Sequence, residues 1–92
     1  MAFSPQFLDQ IKDQIQLASV IGRRVNLKKK GREYLGICPF HNEKTASFTV
    51  NEDKGFFHCF GCGEHGSIFD FFMKIDNLTF PEVVEQLANE AG

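Results

Sequence analysis

Two short cysteine-containing segments constrain the fold of this chain more than any other feature. Cys38 and His41 are separated by two residues, Cys59 and Cys62 repeat that separation, and seventeen residues lie between the two pairs. Two intervening residues let a tight turn aim both side chains of a pair at one ion, and the longer interval is enough for two strands and a return. The spacing therefore predicts one tetrahedral zinc site with three cysteine ligands and one histidine ligand.

Zinc at this site is expected to be structural, because a set of three cysteines and one histidine leaves no coordination position for a catalytic water. Gly61 and Gly63 flank Cys62, where backbone N–H groups can turn inward and donate to the thiolates. The odd number of cysteines, three, argues against a disulfide framework. One alternative stays open, a redox switch in which Cys59 and Cys62 form a disulfide on oxidation and release the zinc.

Two other histidines compete with His41 for the fourth ligand position. His58 directly precedes Cys59, and because side chains alternate along a strand, His58 should point away from the ion. His65 could bind only by displacing a ligand of the first pair. We therefore expect His41 to complete the site.

Length and composition indicate one small globular domain. Of the 92 residues, 42% are hydrophobic and 24% are charged. A core of this size is marginal alone, and a structural zinc contributes on the order of 10 kcal/mol in small domains. No segment has the pattern of a signal peptide, and no apolar run is long enough to cross a bilayer. With reduced cysteines used as ligands, these features predict a cytosolic protein with no membrane partner.

The residue pattern predicts an α+β fold, a zinc ribbon with a small antiparallel sheet flanked by N- and C-terminal helices. Apolar spacing and capping residues predict helices at 5–16 and 68–75 and a last helix that opens with the capping box Thr79-Phe80-Pro81-Glu82. Ser19 is expected to cap a short turn between the first helix and the sheet.

Alternating side chains predict the strands of the sheet. The predicted strands are 32–37, 46–50 and 56–60, with an edge strand at 25–27 and a hairpin loop at 51–55. We expect a single domain over 1–92, with the zinc ribbon core at about 32–66.

The sequence contains no convincing catalytic group. Glu43 and Asp70 do not form an acid–base pair, and we find no carboxylate cluster for magnesium, no nucleophile beside a base and no glycine-rich phosphate loop. We therefore predict no catalytic residue in this chain.

Nearly the whole chain resembles the N-terminal zinc-binding domain of bacterial DnaG-type replicative primases. The likeness is carried by the segments CPFHNEKT at 38–45, SF at 47–48 and HCFGCG at 58–63, and it extends to VNLKKKG at 25–31 and FPEVV at 80–84. The family usually has proline where this chain has Ala46, which relaxes the backbone after the first metal-binding pair.

The resemblance implies a module that binds the single-stranded DNA template and helps select where RNA primer synthesis starts during DNA replication. In that family, a following Toprim-type domain holds the magnesium and polymerises the primer, and a C-terminal domain contacts the replicative helicase. This chain stops before both domains, so we expect it to be inactive alone. The implied partners are the template, the catalytic domain of the same or a neighbouring chain and, through the parent protein, the helicase, all in the bacterial cytoplasm at the replisome.

Charge and aromatic content are compatible with this role. The net charge is −2, yet six cations lie within ten residues of the chain, Arg23, Arg24, Lys28, Lys29, Lys30 and Arg32. Eleven phenylalanines exceed what a small core obviously needs, so most are expected in the core and some on a surface where bases stack. The candidate nucleic-acid-binding residues are Lys30, Arg32, Tyr34, Lys44, Phe56, His58 and Phe60.

A second function from another class is a zinc ribbon that docks onto a polymerase or helicase without touching nucleic acid. The acidic C-terminal helix, with Glu82, Glu85 and Glu90, would suit that role. Charge reversal at Lys30 and Arg32 separates the two hypotheses, because only the template-binding module would lose strand binding.

Overall fold

The computed structural model describes residues 3–41 and 45–91. Within these ranges the chain forms four α-helices and five β-strands, in the order α1 (Pro5–Gln14), α2 (Leu17–Ile21), β1 (Lys28–Lys30), β2 (Glu33–Gly36), β3 (Phe48–Asn51), β4 (Phe56–Cys59), β5 (His65–Gly66), α3 (Ile68–Ile75) and α4 (Phe80–Ala91). The predicted α+β fold with a small antiparallel sheet and flanking helices is confirmed. No described helix has the length and apolar character needed to span a membrane.

The five strands form one antiparallel sheet in which each strand pairs with the next along the chain. Residues in direct register across a sheet point to the same face. One row crosses all five strands and defines the outer face, Lys28, Leu35, Thr49, His58 and His65. The adjacent rows, which include the fully buried Phe48, Val50 and Phe57, define the inner face that packs against the helices.

Four phenylalanines form the centre of the core. The rings of Phe40, Phe48, Phe57 and Phe71 contact one another in every combination, with centroid distances from 5.4 to 6.2 Å. Burying a phenylalanine side chain contributes about 1.5–3 kcal/mol. Phe40 lies between Cys38 and His41, so this cluster also ties the first metal-binding pair to the core.

Local capping signals set the helix starts as the sequence predicted. The Ser4 hydroxyl accepts a hydrogen bond from the Phe7 N–H at 3.1 Å, with a proline at the first helical position of α1. Ser67 and Asp70 form a capping box on α3, and Thr79 and Glu82 form one on α4. Asp70, which the sequence analysis rejected as a catalytic group, therefore has a structural role.

The chain between the first helix and the sheet departs from the prediction. The first helix ends at Gln14 instead of residue 16, and α2 begins at Leu17 without a cap from Ser19. Ile15 and Leu17 are both buried, and two side chains two positions apart cannot face the same core from one continuous helix. Burial of both residues therefore breaks the helix between them.

The edge strand also differs from the prediction, because it is formed by Lys28–Lys30 and not by 25–27. Val25 is buried in the core, and Gly36 lies so close to the backbone of Asn26 that an added Cβ would come within 2.8 Å of its carbonyl oxygen. The segment before β1 is thus packed under the sheet instead of extending it. The two-residue strand β5, which returns alongside β4, was not predicted.

Candidate metal centre

The structure brings four ligand side chains together at one end of the sheet. Cys38, His41, Cys59 and Cys62 each offer one ligand atom, and these atoms lie within 4.8 Å of one another. The Cys38 and Cys62 Sγ atoms are 3.8 Å apart, which is about the edge of a tetrahedron with Zn–S bonds of about 2.3 Å. Three thiols and one imidazole at this separation fit a single zinc ion, and the predicted cofactor is confirmed.

Two turns carry the ligands, one after β2 and one after β4, and these strands lie on either side of β3. Cys38 follows the end of β2, and Cys59 is the last residue of β4. The second turn is closed by the Gly63 N–H, which donates to the Cys59 carbonyl at 2.8 Å while Gly63 adopts a φ of 83°. Glycine reaches this left-handed conformation at little cost, so the residue after Cys62 lets the chain turn back towards β5.

Burial and hydrogen bonds to sulfur give two of the cysteines different pKa values. Burial raises the pKa of the Cys38 thiol to about 12, although the Phe40 N–H donates to its sulfur at 3.4 Å. Burial also opposes ionisation of Cys59, but hydrogen bonds from the Ser47 hydroxyl and from the backbone N–H groups of Cys62 and Gly61 lower its pKa to about 7. Cys59 therefore ionises before Cys38 in the metal-free chain.

The cysteines also differ in their access to solvent. Cys38 and Cys59 are buried, whereas Cys62 is exposed. A bound zinc would thus be shielded on the core side and reached from solvent on the side of Cys62. All four protein ligands are supplied by the chain, so the zinc would hold the two turns together and provide no open position for chemistry.

Neither competing histidine joins the ligand cluster. The His58 ring lies on the outer face against Phe60, with ring centroids 4.5 Å apart, and 6.1 Å from the ring of His65. The His65 Nδ1 is hydrogen bonded to the Gly63 carbonyl at 3.0 Å. His58 thus points away from the ligand cluster, as side-chain alternation predicted, and His41 is the histidine that the fold places with the three cysteines.

The predicted nucleic-acid-binding residues do not all lie on one surface of the structure. Phe56 and His58 alternate with inward-facing residues of β4 and lie on the outer face, and Phe60 continues this series just beyond the strand. Lys30 ends β1, where it pairs with Glu33. These four residues therefore share one side of the sheet.

Two further candidates, Arg32 and Tyr34, lie elsewhere in the described structure. Arg32 is in the exposed turn between β1 and β2. Tyr34 pairs with Val50 and packs against the core on the inner face, because the turn at Gly31 reverses the side-chain alternation between Lys30 and Tyr34. The structure thus separates Tyr34 from the outer face. Lys44, together with Glu43, lies outside the described residues.

Sequence reasoning missed Ser47 and Phe40 as supports of the metal centre. Ser47 directly precedes β3, and its hydroxyl oxygen lies 3.6 Å from the Cys59 sulfur. The side chain of Phe40 enters the phenylalanine cluster of the core. The position of Phe40 inside the first ligand pair was the available signal, whereas no local pattern links Ser47 to Cys59.

Comparison with known proteins agrees with this geometry. The family model described as the CHC2 zinc finger matches residues 3–92. The chain is 50% identical over 84 residues to a DNA primase of Listeria monocytogenes, covering 91% of this chain and 13% of the relative. It is 51% identical over 86 residues to a DNA primase of Haemophilus influenzae, covering 94% of this chain and 14% of the relative.

A solved structure shares the fold. The Aquifex aeolicus primase structure, which contains zinc-binding and RNA polymerase domains, superposes with a TM-score of 0.87 at 35% identity. The match covers 94% of this chain and 21% of that one. The chain thus spans a small part of each of these relatives.

Proposed function

The chain belongs to the CHC2 zinc-finger family and is a zinc-binding domain of the DNA primase type, and from this premise we propose that it binds the single-stranded DNA template. The proposed contact surface is the outer face of the sheet, and the proposed role is to help select where RNA primer synthesis starts. The polymerising activity would reside in another domain, as the RNA polymerase domain of the Aquifex protein suggests.

One observation carries the proposal, the exposure of Phe60. This side chain is 72% exposed, although it lies next to a buried zinc ligand and its ring edge meets the ring of His58. An exposed aromatic ring with a second ring beside it is a stacking platform, and base stacking on such side chains contributes about 1–3 kcal/mol per base. Phe56, also exposed at 37%, extends this aromatic surface along β4.

Positive charge lies at the opposite edge of the same face. Lys28 and Lys30 are exposed on β1 and stand in register with β2. Phosphates of a strand crossing the sheet from β4 to β1 would meet these ammonium groups, and such contacts give salt-dependent affinity. A small domain engages few phosphates at once, so we expect weak binding that increases when the domain acts beside a catalytic domain.

Zinc would act on this surface indirectly. Phe60 lies between the ligands Cys59 and Cys62, so the ion fixes the turn that presents the ring. Loss of the metal would release the turn and disperse the stacking surface. This gives a physical link between a structural ion and a binding activity.

The protein-docking alternative gains less support from the structure. Glu82 caps α4 by accepting from the Thr79 N–H at 2.9 Å, and Glu90 forms an ion pair with Arg23. Two of the three acidic residues proposed for docking therefore have partners within the chain. We further infer, from the likeness to primases, that the parent protein works at the bacterial replisome and contacts the replicative helicase.

A titration of a fluorescent single strand with the zinc-loaded chain tests the proposal. We expect binding that weakens between about 50 mM and 200 mM salt and disappears after the zinc is removed by a chelator. Absence of binding at the lower salt concentration would contradict template recognition by this chain. As a control for the binding surface, charge reversal at Lys30 and Arg32 should weaken strand binding while the variant retains its zinc.

A further inference from the structure

A groove beside the first metal-binding turn has the composition of a nucleotide site. Its volume is about 420 Å³, within the range of small-ligand pockets. The walls are apolar side chains of Leu35, Ile37 and Pro39, with the side chains of Arg24 and Lys28 also lining the groove. None of these residues is a zinc ligand or belongs to the candidate nucleic-acid-binding residues of the sequence analysis.

The charge of this groove distinguishes it from three other cavities in the described part of the chain. Three other cavities each include at least one acidic side chain, namely Glu64 and Asp70, Glu52, or Asp76 and Glu90. Among the described residues, two cations and no carboxylate line the groove at Ile37. Arg24 is held by Asp76, with Nη2 and Oδ1 2.6 Å apart, so Lys28 is the cation best able to follow a ligand phosphate.

The apolar wall of the groove includes an isoleucine side chain that is largely exposed to solvent. Ile37 is 51% exposed, and full burial of such a side chain would contribute about 1.5–3 kcal/mol. A flat aromatic base could cover Ile37 and Pro39 while its phosphate stays near Lys28. The apolar walls and the cationic group that the described residues supply are complementary to a nucleotide.

The groove is continuous with the outer face. The Phe60 N–H donates to the Ser47 carbonyl at 2.9 Å, which places Phe60 one position beyond the row of Gly36, Phe48 and Cys59. Ile37 directly follows Gly36, the last residue of β2. Because β3 separates β2 from β4 and adjacent strands are about 4.8 Å apart, the ends of β2 and β4 are about 10 Å apart across the sheet.

We propose that this groove takes the base of one nucleotide of a bound single strand, with the adjoining phosphate on Lys28. The strand then crosses the metal-proximal end of the sheet, from the stacking surface at Phe60 to the groove at Ile37. This inference rests on the proposed function and adds to it a second base site and a path along the metal-proximal end of the sheet.

The test uses the zinc-loaded 92-residue chain and a fluorescein-labelled oligothymidylate of about 12 nucleotides. Ile37→Ala removes the apolar wall, and Lys28→Gln removes the cation. Lys29→Gln is the matched control, because Lys29 is also exposed on β1 but pairs with Tyr34 on the opposite face. A strand of equal length with abasic sugars in place of the nucleotides separates base contacts from phosphate contacts.

We expect Ile37→Ala to weaken binding of oligothymidylate about fivefold and to leave binding of the abasic strand unchanged. Lys28→Gln should weaken binding of both strands and reduce the salt slope by about one, while Lys29→Gln has a smaller effect. Retained zinc stoichiometry and thermal unfolding verify that each variant is folded.

The outcomes separate the groove from the outer face. If Phe60→Ala weakens oligothymidylate binding and Ile37→Ala does not, the groove proposal is overturned and template binding by the outer face survives. If Ile37→Ala weakens both strands equally, the groove contacts no base and the proposal is also overturned. If the unmodified chain binds neither strand at low salt, the proposed function fails together with this inference.

Discussion

The carboxylate of Glu52 accepts a hydrogen bond from the backbone N–H of Leu17 at 2.7 Å, across 35 residues of sequence. Its other oxygen accepts from the Ala18 N–H at 3.0 Å. Leu17 and Ala18 open α2, whose N-cap residue Gln16 makes no side-chain hydrogen bond to the helix. The hairpin loop between β3 and β4 therefore caps the N-terminus of α2, although the two segments are far apart in the sequence.

Replacing this cap should destabilise the fold. Glu52→Gln removes the charge and turns one of the two acceptor positions into a donor, so we expect the free energy of unfolding to fall by about 1–2 kcal/mol. Urea unfolding of the zinc-loaded chain, followed by circular dichroism, measures the change. Asp53→Asn is the control, since it makes the same change of charge at the exposed next residue. Equal stability of the two variants would show that the cap contributes nothing.

The three histidines should differ sharply in their effect on zinc. His41→Ala removes one ligand, and a structural site worth about 10–16 kcal/mol over four ligands loses roughly 100-fold in affinity or more. His58→Ala and His65→Ala should keep one tightly held zinc per chain, because both rings lie outside the ligand cluster. Competition with a chromogenic chelator measures the affinities. Undiminished affinity in His41→Ala would exclude His41 as a ligand.

Zinc affinity should fall as the pH falls, with a bend near pH 7. Zinc binds thiolates, so binding displaces a proton from Cys38, whose pKa is raised to about 12, throughout the neutral range. Cys59 has a pKa lowered to about 7, so its proton must also be displaced below pH 7 but not well above it. Below the bend, binding should therefore release at least one more proton than above it, so the logarithm of the affinity falls more steeply with decreasing pH.

Ser47→Ala supplies the control for this dependence. Without the hydroxyl near its sulfur, Cys59 should ionise at higher pH, and the bend should move upwards. Chelator competition from about pH 6 to 8.5 gives the slopes. The same slope on both sides of pH 7 in the unmodified chain would contradict the assignment of the lowered pKa to Cys59.

The outer and inner faces should respond differently to loss of an aromatic ring. Phe60→Ala should weaken single-strand binding about tenfold, because stacking contributes about 1–3 kcal/mol per base. Tyr34→Leu should leave strand binding unchanged, since Tyr34 packs against the core on the other side of the sheet. Fluorescence anisotropy with the same oligonucleotide compares both variants. If Tyr34→Leu loses more affinity for the single strand than Phe60→Ala does, the strand does not bind the outer face and our proposal is contradicted.

The sequence alone determined the features that depend on neighbours along the chain. The zinc ligands were predicted from two turns of fixed spacing, and the starts of α1, α3 and α4 were predicted from capping residues within three positions of their partners. Alternation along the strand also puts Phe48 and Val50 of β3 on the same face, and the structure shows that this face is buried. Such geometry is set by covalent connection and local hydrogen bonds, which the order of residues specifies directly.

Only the tertiary structure decided the relationships that depend on how distant segments pack. The break between Ile15 and Leu17 follows from burial of both side chains, and the cap from Glu52 reaches α2 from another part of the chain. The separation of Tyr34 from Lys30 and the groove beside Ile37 follow from a reversal of the chain and from the packing of the segment before β1. Contacts of this kind are selected by the free energy of the whole core, and no local pattern of residues specifies them.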